Sequence, residues 1–185
     1  YLASKGVKIR FEIATQRWWK DQVSDELTKF AHTQIEVADR DAAGYRAWLA
    51  QADANLIAYN FDDESLRYVR TSFANKTPDC MAAGKPILAH GPTEAATIRY
   101  LKERDCASVA NTESVRELSE AIRRLVIDGE YRASLVAKAR SAVHAEKNIH
   151  LLRRKLKSLM EYASHTKGSS AALAKNSKHS QSSNL

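Results

Sequence analysis

Strand-like and helix-like segments alternate along this 185-residue chain, which predicts an α/β protein: an open parallel sheet with helices on both faces. Three observations carry that expectation. The strand and helix patterns take turns over most of the length. Ala54 to Tyr59 (ANLIAY) is apolar but for Asn55 and reads as a continuous run, as expected of a strand covered on both sides. Asn75 to Pro92 (NKTPDCMAAGKPILAHGP) passes from a helix with marked ends straight into a short strand.

Taken in order, Val7–Ala14 alternates apolar and polar residues and reads as a strand, and Arg17–Phe30 as a helix. Trp18 and Trp19 cannot share one side of that helix, so one is expected in the core and the other at a domain or partner contact. Gln34–Ala38 is a second strand, Tyr45–Gln51 a short helix, and Ala54–Tyr59 the third strand. The acids Asp62, Asp63 and Glu64 that follow read as a solvated loop rather than a metal site. A helix within Thr77–Ala83 precedes a Pro86–Ala89 strand; Ala95–Glu103 is the next helix and Ala107–Ala110 a weak fifth strand. Ser114–Ile127, Glu130–Glu146 and Ile149–Ala163 are helical by periodicity. The domain is expected to span 1–165, and the Ser/Lys-rich stretch 166–185 to be a disordered basic tail too poor in apolar residues to order itself.

An apolar content of 44% suffices for a core, and no run of eighteen apolar residues suggests a membrane span. The start of the chain lacks an apolar leader core and an initiator Met, and reads as a piece of a longer chain. Cys80 and Cys106 make neither a disulfide framework nor a metal motif, so free buried thiols in the cytoplasm are expected. The net charge of +7 is uneven: Tyr1–His144 holds 21 Lys and Arg against 20 Asp and Glu, whereas Ala145–Leu185 holds 8 against 2. A nearly neutral body argues against a nucleic-acid-binding domain, which needs a basic face on the fold itself. The apolar periodicity of 149–160, with Arg153, Arg154, Lys155 and Lys157 opposite, suits either an anionic membrane surface or packing on the chain's own domain.

Open parallel sheets bind ligands beyond the carboxyl ends of their strands. In the Asn75–Pro92 stretch, Thr77-Pro78-Asp79 has the form of a helix start: a hydroxyl cap, a first-turn proline and an acid. Unpaired amides and the positive dipole end there suit a phosphate, Lys76 adds charge, and the Asp79 carboxylate can accept hydrogen bonds from a vicinal diol such as ribose. Gly84 reads as the left-handed helix stop, reinforced by Pro86.

ADANLIAYN (Ala52–Asn60) and SFANKTPDCMAAGKPILA (Ser72–Ala89) together resemble the C-terminal, donor-binding domain of GT-B glycosyltransferases, specifically the retaining group 1 enzymes. The likeness covers roughly Ala50–Ile127, and the order of elements extends it over most of Val7–Ala163. It implies a Rossmann-like domain that binds a nucleoside-diphosphate sugar for a hexosyltransferase. Donor binding would then fall to Ser72, Asn75, Lys76, Thr77 and Asp79, with the nucleobase near Ala38, Asp39 and Arg40. Asp79 occupies the position of the motif's glutamate, Ala74 that of a usual proline, Cys80 that of a tyrosine, and Thr71 that of a second acid. The family's acceptor-binding N-terminal domain is expected to be the missing partner, and no metal or other cofactor is implied. Arg67 and Arg70, one turn apart, either reach the diphosphate or pair at the surface. His90, at a strand end, reads as a satisfied structural histidine. No residue is assigned a catalytic role.

Other classes lack their residues. A signalling receiver domain would need an acidic pair after the first strand and an aspartate after the third, where this chain has Thr15-Gln16 and Asn60-Phe61. Neither G-x-G-x-x-G nor G-x-x-x-x-G-K is present. The remaining alternative is a degenerate domain of the same fold that binds a nucleotide or partner and transfers nothing.

Overall fold

The computed structural model describes residues 6, 8–27, 29–30, 32–38, 40–146 and 152–162. The elements are β1 (Phe11–Thr15), α1 (Arg17–Leu27), β2 (Thr33–Val37), α2 (Ala42–Gln51), β3 (Asn55–Ala58), α3 (Asp63–Val69), α4 (Thr77–Ala82), β4 (Ile87–His90), α5 (Ala96–Glu103), β5 (Ser108–Ala110), α6 (Val115–Ile127) and α7 (Gly129–Glu146). A further helix, α8, spans 152–162. The chain divides into two units, Tyr1–Val143 and His144–Leu185. The tail expected over 166–185 lies outside the described residues.

All strand pairs are parallel, as the alternation of elements requires, because a parallel pair needs a crossover that here is always helical. The class is the one expected: α/β, with parallel sheets flanked by helices. The expected single sheet, however, is two separately bonded ones. β1 pairs with β2 from Phe11↔Thr33 to Thr15↔Val37. The second sheet has the order β3-β4-β5, with Asn55↔Ile87 and Leu88↔Ser108 setting its register.

The core lies on this second sheet. Ile57, Ile87 and Ala89 pack with Met81 of α4 and with Ile98 and Leu101 of α5, while α7 adds Ala139. The run ANLIAY is not covered on both sides as expected: Asn55 and Ile57 are buried, but Leu56 and Ala58 alternate outward. Continuous apolar text records only that both faces tolerate burial, and here helices cover one of them.

Local chemistry explains most element ends. Gly84 has φ +77, the left-handed conformation of a residue just past a helix, and a Cβ there would run into the Arg140 guanidinium. Ser114 caps α6 by accepting from the Glu117 N–H. The acids at 62–64 form no loop. Asp62 caps α3 by accepting the Ser65 N–H at 2.7 Å, and Asp63 and Glu64 occupy its first turn, where negative charge meets the helix dipole. That N–H, and then the Ser65 side chain, hold the Asp62 carboxyl below its ordinary range. Trp18 is exposed and donates to Gln16 at 2.6 Å, whereas Trp19 is half-buried.

Candidate functional site

The loop that leads into α4 is fastened at the carboxyl edge of the second sheet by one buried hydroxyl. Thr97, fully buried in the first turn of α5, accepts the Tyr59 O–H at 3.0 Å and the Ala74 N–H at 3.0 Å. Tyr59 follows β3, so three chain segments meet at one oxygen. Phe73 packs edge-on against Tyr100 of α5 with ring centroids 5.1 Å apart. Ala74 stands where the resembled motif has proline. A proline has no N–H to give Thr97, so the departure is coupled to this anchor. The only local signal for Thr97 is a hydroxyl in the first turn of a helix after a strand end.

At the start of α4, Ser72, Asn75, Lys76 and Asp79 are exposed side by side along the chain. Thr77 is not the cap. Lys76 is the N-cap, in αR conformation and with no side-chain cap bond, and Thr77 is fully buried with an unpartnered hydroxyl. The Thr77 N–H donates to Ala74 at 3.0 Å and Pro78 has none, so this turn presents fewer free amides than the capped reading assumes. Charge at the turn therefore comes from side chains, Lys76 and Asp79.

Asp79 faces α2. The Tyr45 hydroxyl is pushed up first by burial, then by the Cys80 thiol and the Asp79 carboxylate. Tyr45 stacks on Trp48 with centroids 6.3 Å apart, and the Arg40 guanidinium lies over the Trp48 ring at 5.3 Å. Arg40 is also paired with Glu36 at 2.5 Å. Thus α2 carries an aromatic pair with Asp79 near one member and Arg40 on the other. The signal for Tyr45 and Trp48 in the sequence is their i, i+3 spacing after a strand end. Ala38 donates its N–H to Thr15 at 2.7 Å, and Asp39 lies outside the described residues.

Arg67 sits in the last turn of α3 and Arg70 is its C-cap; both are exposed, and no ion pair holds either among the described residues. His90 is satisfied, its Nδ1 bonded to the Ala110 carbonyl at 3.0 Å and its ring 5.1 Å from Phe61. An open cleft of about 460 Å³ lies elsewhere, between β5 and α6, lined by residues such as Ser108, Glu117 and Tyr131. It holds none of the predicted site residues. Among the described residues, no group of three His, Cys, Asp or Glu side chains is placed to hold a metal ion.

Cys80 is a buried thiol. Burial pushes its thiol from an ordinary 9.0 up to about 11, opposed by Lys76 and reinforced by Asp79. Because the folded value lies above the unfolded one, the associated stability is complete below about pH 9 and is lost as pH rises through about 11. Denaturant melts between pH 8 and 11 should lose on the order of 2 kcal/mol to this group, and Cys80→Ala should flatten that limb. An unchanged alkaline limb in the variant would remove Cys80 as its cause. The exposed groups of this turn are the Ser72 hydroxyl, the Asn75 amide, the Lys76 ammonium and the Asp79 carboxylate.

No family model matches the chain, and no curated protein matches it. The class that fold and site define is an α/β protein of parallel sheets with a charged helix start at the carboxyl edge. Among solved structures the chain is similar to WaaG, a glycosyltransferase involved in lipopolysaccharide biosynthesis, at a TM-score of 0.53 and 16% identity. The likeness covers 81% of this chain and 37% of that one, so the chain spans well under half of its structural neighbour. At that identity the likeness is one of fold.

Proposed function

We propose that the chain is the nucleotide-sugar-binding domain of a retaining, group 1 type GT-B glycosyltransferase of the hexosyltransferase kind. The observation that carries the reading is the exposed Lys76–Asp79 turn, held at the carboxyl edge of a parallel sheet by Thr97. The donor phosphates lie along Ser72, Asn75, Lys76 and the Thr77 backbone, the ribose diol on Asp79, and the base toward Ala38–Arg40. Arg67 and Arg70, unpaired with carboxylates among the described residues, supply further cations to the diphosphate. Fixed positive charge takes the role a metal would have in stabilising the departing diphosphate. The glycosyl acceptor binds to a further domain.

Titration calorimetry of the chain with UDP, GDP and ADP tests this. At least one should bind, and the matching nucleotide sugar should compete for the same site. Absence of binding by all three overturns the reading. Thr71, in place of an acid, supports a second reading: a degenerate domain that binds nucleotide without engaging sugar. In that case the nucleotide sugar binds no more tightly than the bare nucleotide.

A further inference from the structure

We propose that α8 is an interfacial helix that lies on an anionic bilayer. Its apolar residues Leu152, Leu156, Leu159 and Met160 are all exposed, the last three at 59–65%. At 3.6 residues per turn they fall within an arc of about 100°. The same geometry puts Arg153 on one border of that arc and Lys155, beside Tyr162, on the other. Lys157, Arg154 and Glu161 take the far side, where Lys157 and Glu161 pair at 3.9 Å. Four cations against one carboxylate leave the helix at net +3, and the 23 residues that follow it in the sequence contain three lysines and no acid.

Charge complementarity selects the occupant. The surface that receives this face must be apolar along its middle and anionic along both flanks. The boundary between acyl chains and acidic headgroups has that arrangement, and long basic side chains can bury their stems there while the charges stay in the headgroup layer. A helix of this length is marginal in water by propensity alone, because helices shorter than about 12–15 residues need a packed face. No helix among the described residues is long and apolar enough to cross a membrane, so contact is along the surface.

The test is cosedimentation of the full chain with vesicles of pure phosphatidylcholine and of equal parts phosphatidylcholine and phosphatidylglycerol. Binding is expected only to the acidic vesicles, weakening as salt rises. Arg153→Gln with Lys155→Gln should lower the partition coefficient on the order of 25-fold, about fivefold per cation. Leu156→Asp with Leu159→Asp, at exposed positions, should abolish pelleting without lowering the melting temperature. Equal binding to neutral vesicles, no binding to either, or undiminished binding of the aspartate pair overturns the proposal. So does a loss of self-association or of melting temperature in that pair, which would assign the stripe to a protein contact.

Discussion

Replacing Asp79 with Ala is expected to weaken nucleoside-diphosphate binding on the order of ten- to a hundredfold. A ribose diol donates up to two charge-assisted hydrogen bonds to this carboxylate, about 1.5–3 kcal/mol each before solvent compensation. Each 1.4 kcal/mol retained after compensation is tenfold in affinity. Folding should change by no more than about 1 kcal/mol, the range for an acid in a helix first turn, because Asp79 is exposed and caps nothing. An internal control is available without ligand. Asp79 contributes to the raised Tyr45 hydroxyl and Cys80 thiol, so both should titrate lower in the variant. Calorimetry on both proteins decides the matter. Equal affinity, with the Tyr45 titration shifted as expected, would place the diol elsewhere while leaving the geometry of α2 and α4 intact.

The second large effect is on stability, at Gly91. This residue follows β4, is buried, and has φ +153, a conformation side chains rarely adopt. A Cβ there would lie 3.1 Å from the Tyr59 Cβ and 3.3 Å from the Ile98 Cγ1, and the Tyr59 backbone nitrogen is 3.4 Å away. Those neighbours cannot swing aside. The Tyr59 N–H donates to His90 at 2.9 Å, its hydroxyl is held by Thr97, and Ile98 is fully buried. Gly91→Val is expected to cost about 2–6 kcal/mol, combining backbone strain of roughly 1–3 with overpacking of roughly 1–3. At about 2–4 °C per kcal/mol for a chain of this size, the melting temperature should fall roughly 4–24 °C. Gly91→Ala should lose less, since it lacks the branched methyls. A valine variant melting within about 1 °C of the parent would show that the β4 end relaxes freely. Because Tyr59 also anchors the loop before α4 through Thr97, the valine variant should bind nucleotide more weakly even where it remains folded.

The order of strands and helices was legible in the sequence because hydrophobic period and turn chemistry are local. Pro78 and Gly84 bound α4 by their own backbone preferences, and the strand after Pro86 formed where its apolar run predicts. Lys76 and Asp79 could be placed at the start of α4 for the same reason. Their side chains lie on the exposed turn to which their sequence neighbours assign them.

What depended on distant residues was not legible. By contrast, Asp62, Asp63 and Glu64 form a locally written helix start, Asp62 accepting the Ser65 N–H three residues on, that charge alone makes look like a solvated run. The apolar text of β3 suits burial on either face, and the packing of the other elements left Leu56 exposed and Ile57 buried. Thr77 has the composition of a cap, but burial withdrew its hydroxyl and Lys76 took the position. Thr97 carries no local signal for its two incoming hydrogen bonds, which come from residues 38 and 23 positions away. Likewise the Asp79 carboxylate acts on the Tyr45 hydroxyl only because α2 and α4 pack together. Backbone preference acts over a few residues and is written in them; burial, hydrogen-bond partners and shifted proton affinities arise only when segments far apart in the chain exclude water together.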